Sequence, residues 1–162
     1  MSKAIDRFTE AARLMGLTPK IRRFPQGTKT ASDAAAAIGC DAAQIVKSLV
    51  FVADGRPLLA YTSGANRVDP VKLAAAAGAR EARRARPEEA REATGFAVGG
   101  TPPFGYRTRI QAFVDLDLLG HDLIWAAAGT PDSVFPLSVG DLLRCTGATP
   151  ADIRELPPPG SE

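Results

Sequence analysis

One histidine, two cysteines, one tryptophan and an aromatic share of 6% are what this sequence of 162 residues has least of. Each scarcity removes a class of function. His121 stands alone, so a mechanism that needs a pair of histidines, or a histidine cluster around a metal, is out of reach. Cys40 and Cys145 lie far apart with no CxxC spacing, which indicates neither a zinc site nor a disulfide framework; both are expected as free, packed thiols. An excess of one charge sign is also missing. Twenty Lys and Arg against 18 Asp and Glu leave a net charge of +2, which permits a nucleic-acid partner without arguing for one. No apolar run approaches membrane-spanning length and the N-terminus is polar and amphipathic, so a cytoplasmic location without membrane contact is expected.

What is present is the make-up of a globular chain, 45% hydrophobic and 23% charged. One domain over residues 1–155 is expected, with 156–162 as a disordered tail because "LPPPGSE" has nothing to pack. Apolar spacing predicts a helix over "SKAIDRFTEAARLMGL", capped by Ser2 and stopped by Gly16. Further helices are predicted from Thr30 or Ser32 to Gly39, from Asp69-Pro70 to Gly78, from Pro87 to Gly95, and over "SVGDLLRCTG". The clearest signal is a hairpin, with Ile45–Val52 and Pro57–Thr62 flanking Asp54-Gly55. "PKIRRF", "IQAFVDLDLL", "DLIWAAAG" and "VFPLS" read as further strands, and "GGTPPFG" as a loop. The irregular mixture argues for an α+β fold with a mixed sheet.

Lys47 is the anomaly of the hairpin. It shares a strand face with Ile45, Leu49 and Phe51, while Val46, Val50 and Val52 take the other, so both faces are apolar and water is distant. A packed stem with a wet head accounts for the residue; so does a lysine lining a cleft and aimed at an anionic or carbonyl group.

The ordered set "GCDAAQIVKSLVF", "SGANRVDPVKLAAAAG", "ATGFAVGGTPPFG", "DLDLL" and "AAAGTPDSVFPLSVGDLLRCTGA" resembles the YbaK/ProX family, over about Pro25 to Ile153. These are trans-editing aminoacyl-tRNA deacylases related to the editing domain of bacterial prolyl-tRNA synthetases. The resemblance implies a mixed sheet curled toward a barrel with helices around it, and neither metal nor organic cofactor. It puts the family's lysine at Lys47, with Ser48 beside it, and its Gly-x-x-Pro loop at Gly100, Thr101, Pro102 and Pro103, followed by Phe104 and Gly105. Lys47, Gly100 and Pro103 are thereby expected in catalysis; Ser48, Thr101, Phe104, Gly105, Gly129 and Asp132 are expected against the substrate. The implied substrate is misacylated tRNA, tRNA for proline carrying alanine, cysteine, serine or threonine, and prolyl-tRNA synthetase is a candidate partner. A monomer or weak homodimer would serve. Many relatives carry Val at the position of Thr101, His at that of Tyr106, and His, Ser or Asp near Asp132, so these positions are expected to shape the amino-acid pocket.

An aminoacyl ester is activated, so positioning and oxyanion stabilisation can supply much of the catalysis. The expectation is that the Lys47 ammonium anchors a terminal phosphate or a polar group of the substrate. The Gly100–Gly105 loop would present main-chain groups to the aminoacyl moiety and the attacking water. The alternative is a binding module for RNA or aminoacyl groups that uses the same pocket without turnover.

Other features read more plainly. Arg13, Lys20, Arg22, Arg23 and Lys29 run without an intervening acid; they form a solvated rim or, for Lys20, Arg22, Arg23 and Lys29, a tRNA contact. "REARRARPEEARE" reads as an exposed helical surface with local ion pairs. Trp125 and Phe113 are expected in the core, His121 in a turn, Asp115 and Asp117 as turn caps, and Gly64 and Asn66 in the turn before a helix.

Overall fold

The hairpin is the centre of the fold. In the computed structural model, which describes residues 3–24 and 30–156, Ile45–Ala53 forms strand β2 and Arg56–Ser63 forms β3. For convenience β1 is Arg22–Arg23, the first strand in the chain. Asp54 (φ 48°) and Gly55 (φ 83°) make the two-residue turn, which requires a positive φ at both positions. The side chain of Asp54 also accepts hydrogen bonds from the main chain of Arg80 and Glu81. Ser2, Lys29 and the expected tail from residue 157 onward lie outside the described residues.

The remaining strands are β4 (Ala82–Arg84), β5 (Gln111–Asp115), β6 (Leu123–Ala127), β7 (Ser133–Ser138) and β8 (Thr149–Ala151). They join one mixed sheet in the order β1-β7-β6-β2-β3-β5-β8, with β4 also on β2. The α+β class with a mixed sheet stands, and because the path has two ends among the described residues, the expected curl toward a barrel holds only loosely and stops short of closure. Its distinctive feature is a fork along β2. One edge of β2 pairs with β3 over its length, while the other edge is shared. Ile45 and Val46 pair in parallel with Trp125 and Ala126, and Phe51–Ala53 pair antiparallel with Ala82–Arg84. Between them, no strand among the described residues pairs with Lys47, Ser48 and Leu49 on that side.

Helices α1 (Lys3–Leu14), α2 (Ala31–Ile38), α3 (Pro70–Ala77), α4 (Pro87–Thr94) and α5 (Val139–Thr146) surround the sheet. Their ends follow local chemistry. The Thr30 hydroxyl accepts from Asp33 N–H, Asp69 accepts from Val71 and Lys72 N–H, and Ser138 accepts from Asp141 N–H. None of these helices is long and apolar enough to cross a membrane.

Alternation along the hairpin divides the core. Val46, Val50, Leu59 and Tyr61 face one apolar cluster, which α1 completes through Phe8; its ring lies 4.7 Å from Phe135 and 5.2 Å from Phe104. Phe51, Leu58 and Ala60 face another, closed by Leu73 of α3, Phe113 and Ile153. Two expectations are corrected here. The strand read through "IQAFVDLDLL" stops at Asp115, whose carboxylate accepts from Asp117 N–H and starts a 3-10 turn over Leu116–Gly120. The charged run is not helical throughout, because Ala82–Arg84 pairs with the end of β2 before α4 begins.

Candidate active site

A cleft of about 470 Å³ opens at the fork. Its walls come from both sides of β2 and from four other segments: the start of α2, Gly64, the Val98–Thr101 loop, and the ends of β6 and β7 around Pro131. Lys47, Ser48 and Leu49 line it, with Arg84 contributed by β4. Among the described residues no Asp, Glu, His or Cys lines it.

Lys47 is half-buried, and its Nζ donates to the main-chain oxygen of Asn66 at 2.6 Å. An ammonium has three donors, so two remain for a ligand. Burial lowers the Lys47 pKa from its ordinary 10.5; the cations Arg84 and Arg67 lower it further and Asp115 opposes them. Among the described residues no carboxylate is bonded to it. Asn66 is itself held rigidly, since its Nδ2 donates to Asp115 and Asp117, each at 2.8 Å. Asp115 is buried at the end of β5 and accepts a further bond from Ser63 N–H. The lysine therefore rests on a peptide oxygen whose position is set by two strands and a 3-10 turn.

Of the residues singled out from sequence, Lys47, Ser48 and Thr101 meet in this cleft. Gly100 stands just behind it: a Cβ there would lie 2.7 Å from the Thr130 main chain, so glycine lets the 100 loop and the 130 loop touch. Gly129 (φ 120°) is pressed against α1, where a Cβ would be 2.8 Å from the Ala4 oxygen. Asp132 is turned to the rim, paired with Arg23 at 3.0 Å and accepting from Thr130 Oγ1 at 2.6 Å.

The structure does not bring Pro103, Phe104 and Gly105 to the cleft. They line a separate cavity of about 370 Å³ with Tyr61, Arg109 and Cys145. The reason is packing: the Phe104 ring is 3% exposed, wedged between Phe8 and Phe135, and burying an aromatic ring outweighs presenting it to a wet site. Two tyrosines fasten this part of the loop, Tyr61 Oη donating to the Pro103 oxygen and Tyr106 Oη to that of Pro102. Burial raises the pKa of both, which keeps them neutral donors. Ser48 Oγ is buried near Tyr106, where its hydroxyl works against that rise, although the geometry gives it no formed hydrogen bond among the described residues.

Sequence reasoning missed Arg84, read as part of a solvated helix, and assigned Trp125 to the core, although it stands half-buried on the cleft wall with Arg22 5.7 Å above its ring. Of the basic run, Lys20, Arg22 and Arg23 are exposed, Arg22 over Trp125 and Arg23 beside Asp132, and Lys29 lies outside the described residues. Arg13 instead pairs with Glu10 on α1. His121 lies in a turn, donating its N–H to the Leu118 oxygen, and is not among the residues lining the cleft.

The site thus brings together a cation fixed on a peptide oxygen, a second cation at Arg84 and walls of main chain, small side chains and Trp125, with no nucleophile–histidine pair among the described lining residues. Comparison with known proteins supplies the family. The aminoacyl-tRNA editing domain family matches residues 25–145. The chain belongs to that family, and the class of enzyme it defines is an aminoacyl-tRNA deacylase, which guards the fidelity of translation. A solved structure described as a candidate trans-editing enzyme for prolyl tRNA synthetase superposes with a TM-score of 0.90 at 43% identity, covering 96% of this chain and 99% of that one. A proline–tRNA ligase of Geobacter sp. (strain M21) is 29% identical over 96% of this chain, which spans only 27% of the ligase. YwhH of Bacillus subtilis (strain 168), an uncharacterized protein, is 29% identical over 75% of this chain and 78% of its own length.

Proposed function

We propose that the chain hydrolyses tRNA that carries a small wrong amino acid, tRNA for proline foremost, by directing water onto the aminoacyl ester. The observation that carries this reading is Lys47, a half-buried ammonium with two unused donors in a cleft that it lines together with Arg84 and with mainly small or apolar groups. One donor meets the terminal phosphate or ribose, and another the ester oxygen as it gains charge, an interaction strongest in the transition state. The cleft is within the size range of small-molecule sites, about 300–1,000 Å³, and takes the aminoacyl group with part of the terminal nucleoside. Ala126, Ala127, Gly99 and Thr101 leave room for alanine, serine, threonine or cysteine. A synthetase separates residues differing by one methylene by only about 1–3 kcal/mol, which leaves a second hydrolytic step to do the rest. Prolyl-tRNA synthetase, which makes the errors, is the natural physical partner.

The test is a panel of mischarged tRNAs in excess over the protein. Repeated turnover of the small aminoacyl esters, with prolyl-tRNA spared, is expected. Stoichiometric binding without amino-acid release would favour the binding module instead. Lys20, Arg22 and Arg23 are proposed to contact the acceptor stem, so affinity should fall with salt.

Lys47 must be charged to act. Its pKa is depressed, so the rate should fall as pH rises through a value below 10.5. Arg84→Ala removes a repelling cation and opens the cleft to water; both changes favour the ammonium, so the alkaline limb should move to higher pH. A pH–rate profile of the two proteins checks this, and an unmoved limb would show that Lys47 is not the group titrating.

A further inference from the structure

The fork in the sheet exposes more than a lysine. Gly64 N–H donates to the Ile45 oxygen at 2.7 Å, so the odd-numbered residues of β2 direct their main-chain groups to β3. The even-numbered ones face the shared edge, as the Val50 oxygen does in accepting from Ala85 N–H at 3.0 Å. Val46 lies beside β6, while Val50 and Val52 lie beside the β4 segment. Ser48 falls between them. By this register its N–H and C=O point to the stretch of edge between the residues paired with β6 and those paired with β4, and an open strand edge is a ready-made receptor for an extended main-chain-like group.

The second observation is the charge inventory. Around the cleft stand Lys47 on β2, Arg84 on β4 and Arg67 after β3, all cations. The nearby carboxylates are occupied or turned away. Asp115 is bonded to Ser63 and Asn66 beneath the lysine, Asp132 is paired with Arg23 behind Pro131, and Asp33 of α2 is exposed and outside the lining. An aminoacyl ester carries an α-amino group that is an ammonium at low pH. Among the described residues no carboxylate lines the cleft to neutralise one, and like charges at close range disfavour it.

We propose that the Ser48 main chain docks the aminoacyl group, its N–H on the ester carbonyl and its C=O accepting from the α-amino group, and that the substrate binds with this amine uncharged. The inference rests on the deacylase reading and names the chemical form of its substrate. The same peptide recognises every amino acid, leaving selection to the side-chain walls.

The test compares three esters on one tRNA with the full chain: alanyl, lactyl (a hydroxyl in place of the amine) and propionyl (neither). Rates are taken after subtraction of buffer hydrolysis. The alanyl-to-lactyl ratio cancels any titration of the protein itself. It should rise about tenfold per pH unit and level off once the amine is neutral, an unperturbed α-amino group titrating near about 7.7–8.0. A ratio that is constant or falls with pH overturns the uncharged-amine assignment. Propionyl-tRNA is smaller than either, so steric exclusion cannot explain a loss. Relative to its own buffer rate it should be accelerated about tenfold less than lactyl-tRNA, because the Ser48 oxygen is left without a donor. Equal acceleration overturns the docking by Ser48. Failure to hydrolyse any alanyl or lactyl ester would remove the deacylase reading and this proposal together, whereas hydrolysis with a flat ratio removes this proposal alone.

Discussion

Lys47→Ala is expected to lower single-turnover deacylation by about 10²–10³-fold, the loss found when one preorganised donor is taken from a developing oxyanion. The fold should survive. The side chain costs desolvation where it stands, and its one hydrogen bond goes to a peptide oxygen at a cleft that water reaches. Lys47→Met, which keeps the packed stem and removes the charge, should behave the same, so that packing and charge are separated. Thermal melting alongside the rate measurement checks both halves. Activity within roughly threefold of the unaltered protein, a difference of well under 1.4 kcal/mol in the barrier, would remove Lys47 from the mechanism.

The largest effect on stability is expected from Gly64→Ala. Its backbone lies at the end of β3, where a Cβ would be 2.4 Å from the Ala42 oxygen, 2.6 Å from Ala31 Cβ and 3.1 Å from Ile45 Cβ. Two of these neighbours belong to α2 and to the 3-10 turn Ala42–Gln44, and neither can yield by rotating a side chain. Overpacking of this kind costs about 1–3 kcal/mol, and a chain of this length loses about 2–4 °C in Tm for each. Since Ala31 and Gly64 also line the cleft, the push on α2 should raise KM as well as lower Tm. A melting temperature within a degree of the unaltered protein would mean that α2 moves aside at no cost.

Much of this was legible beforehand because local chemistry decided it. The turn at Asp54-Gly55, the caps at Thr30, Asp69 and Ser138, and the glycines at positions 39, 78 and 147 are short-range signals, and the elements end where those residues stand. The failures have one physical character. Ala82–Arg84 is a strand only because the end of β2 offers it an edge, which no property of an arginine-rich segment announces. Asp115 ends β5 because its carboxylate finds the Asp117 amide sooner than another strand residue is added. Lys47 was visible as an anomaly. Its seat on Asn66 and the approach of Arg84 were not, since 19 residues separate the first pair and only the sheet brings the second together. In sequence the 100–105 loop looks like one catalytic unit, yet its two halves face different cavities. The hydrophobic demand of Phe104 pulls the second half into the core.

The direct partner of Lys47 is a peptide oxygen and not an acid, and this gives the vacant enzyme a standing debt of negative charge. On the deacylase reading an incoming tRNA end would discharge it, bringing its own anions to a socket where no described acid is bonded to the lysine. Recognition and electrical completion would then be one event, and release of the cleaved amino acid, itself a zwitterion, would leave the socket once more in want of a counter-ion.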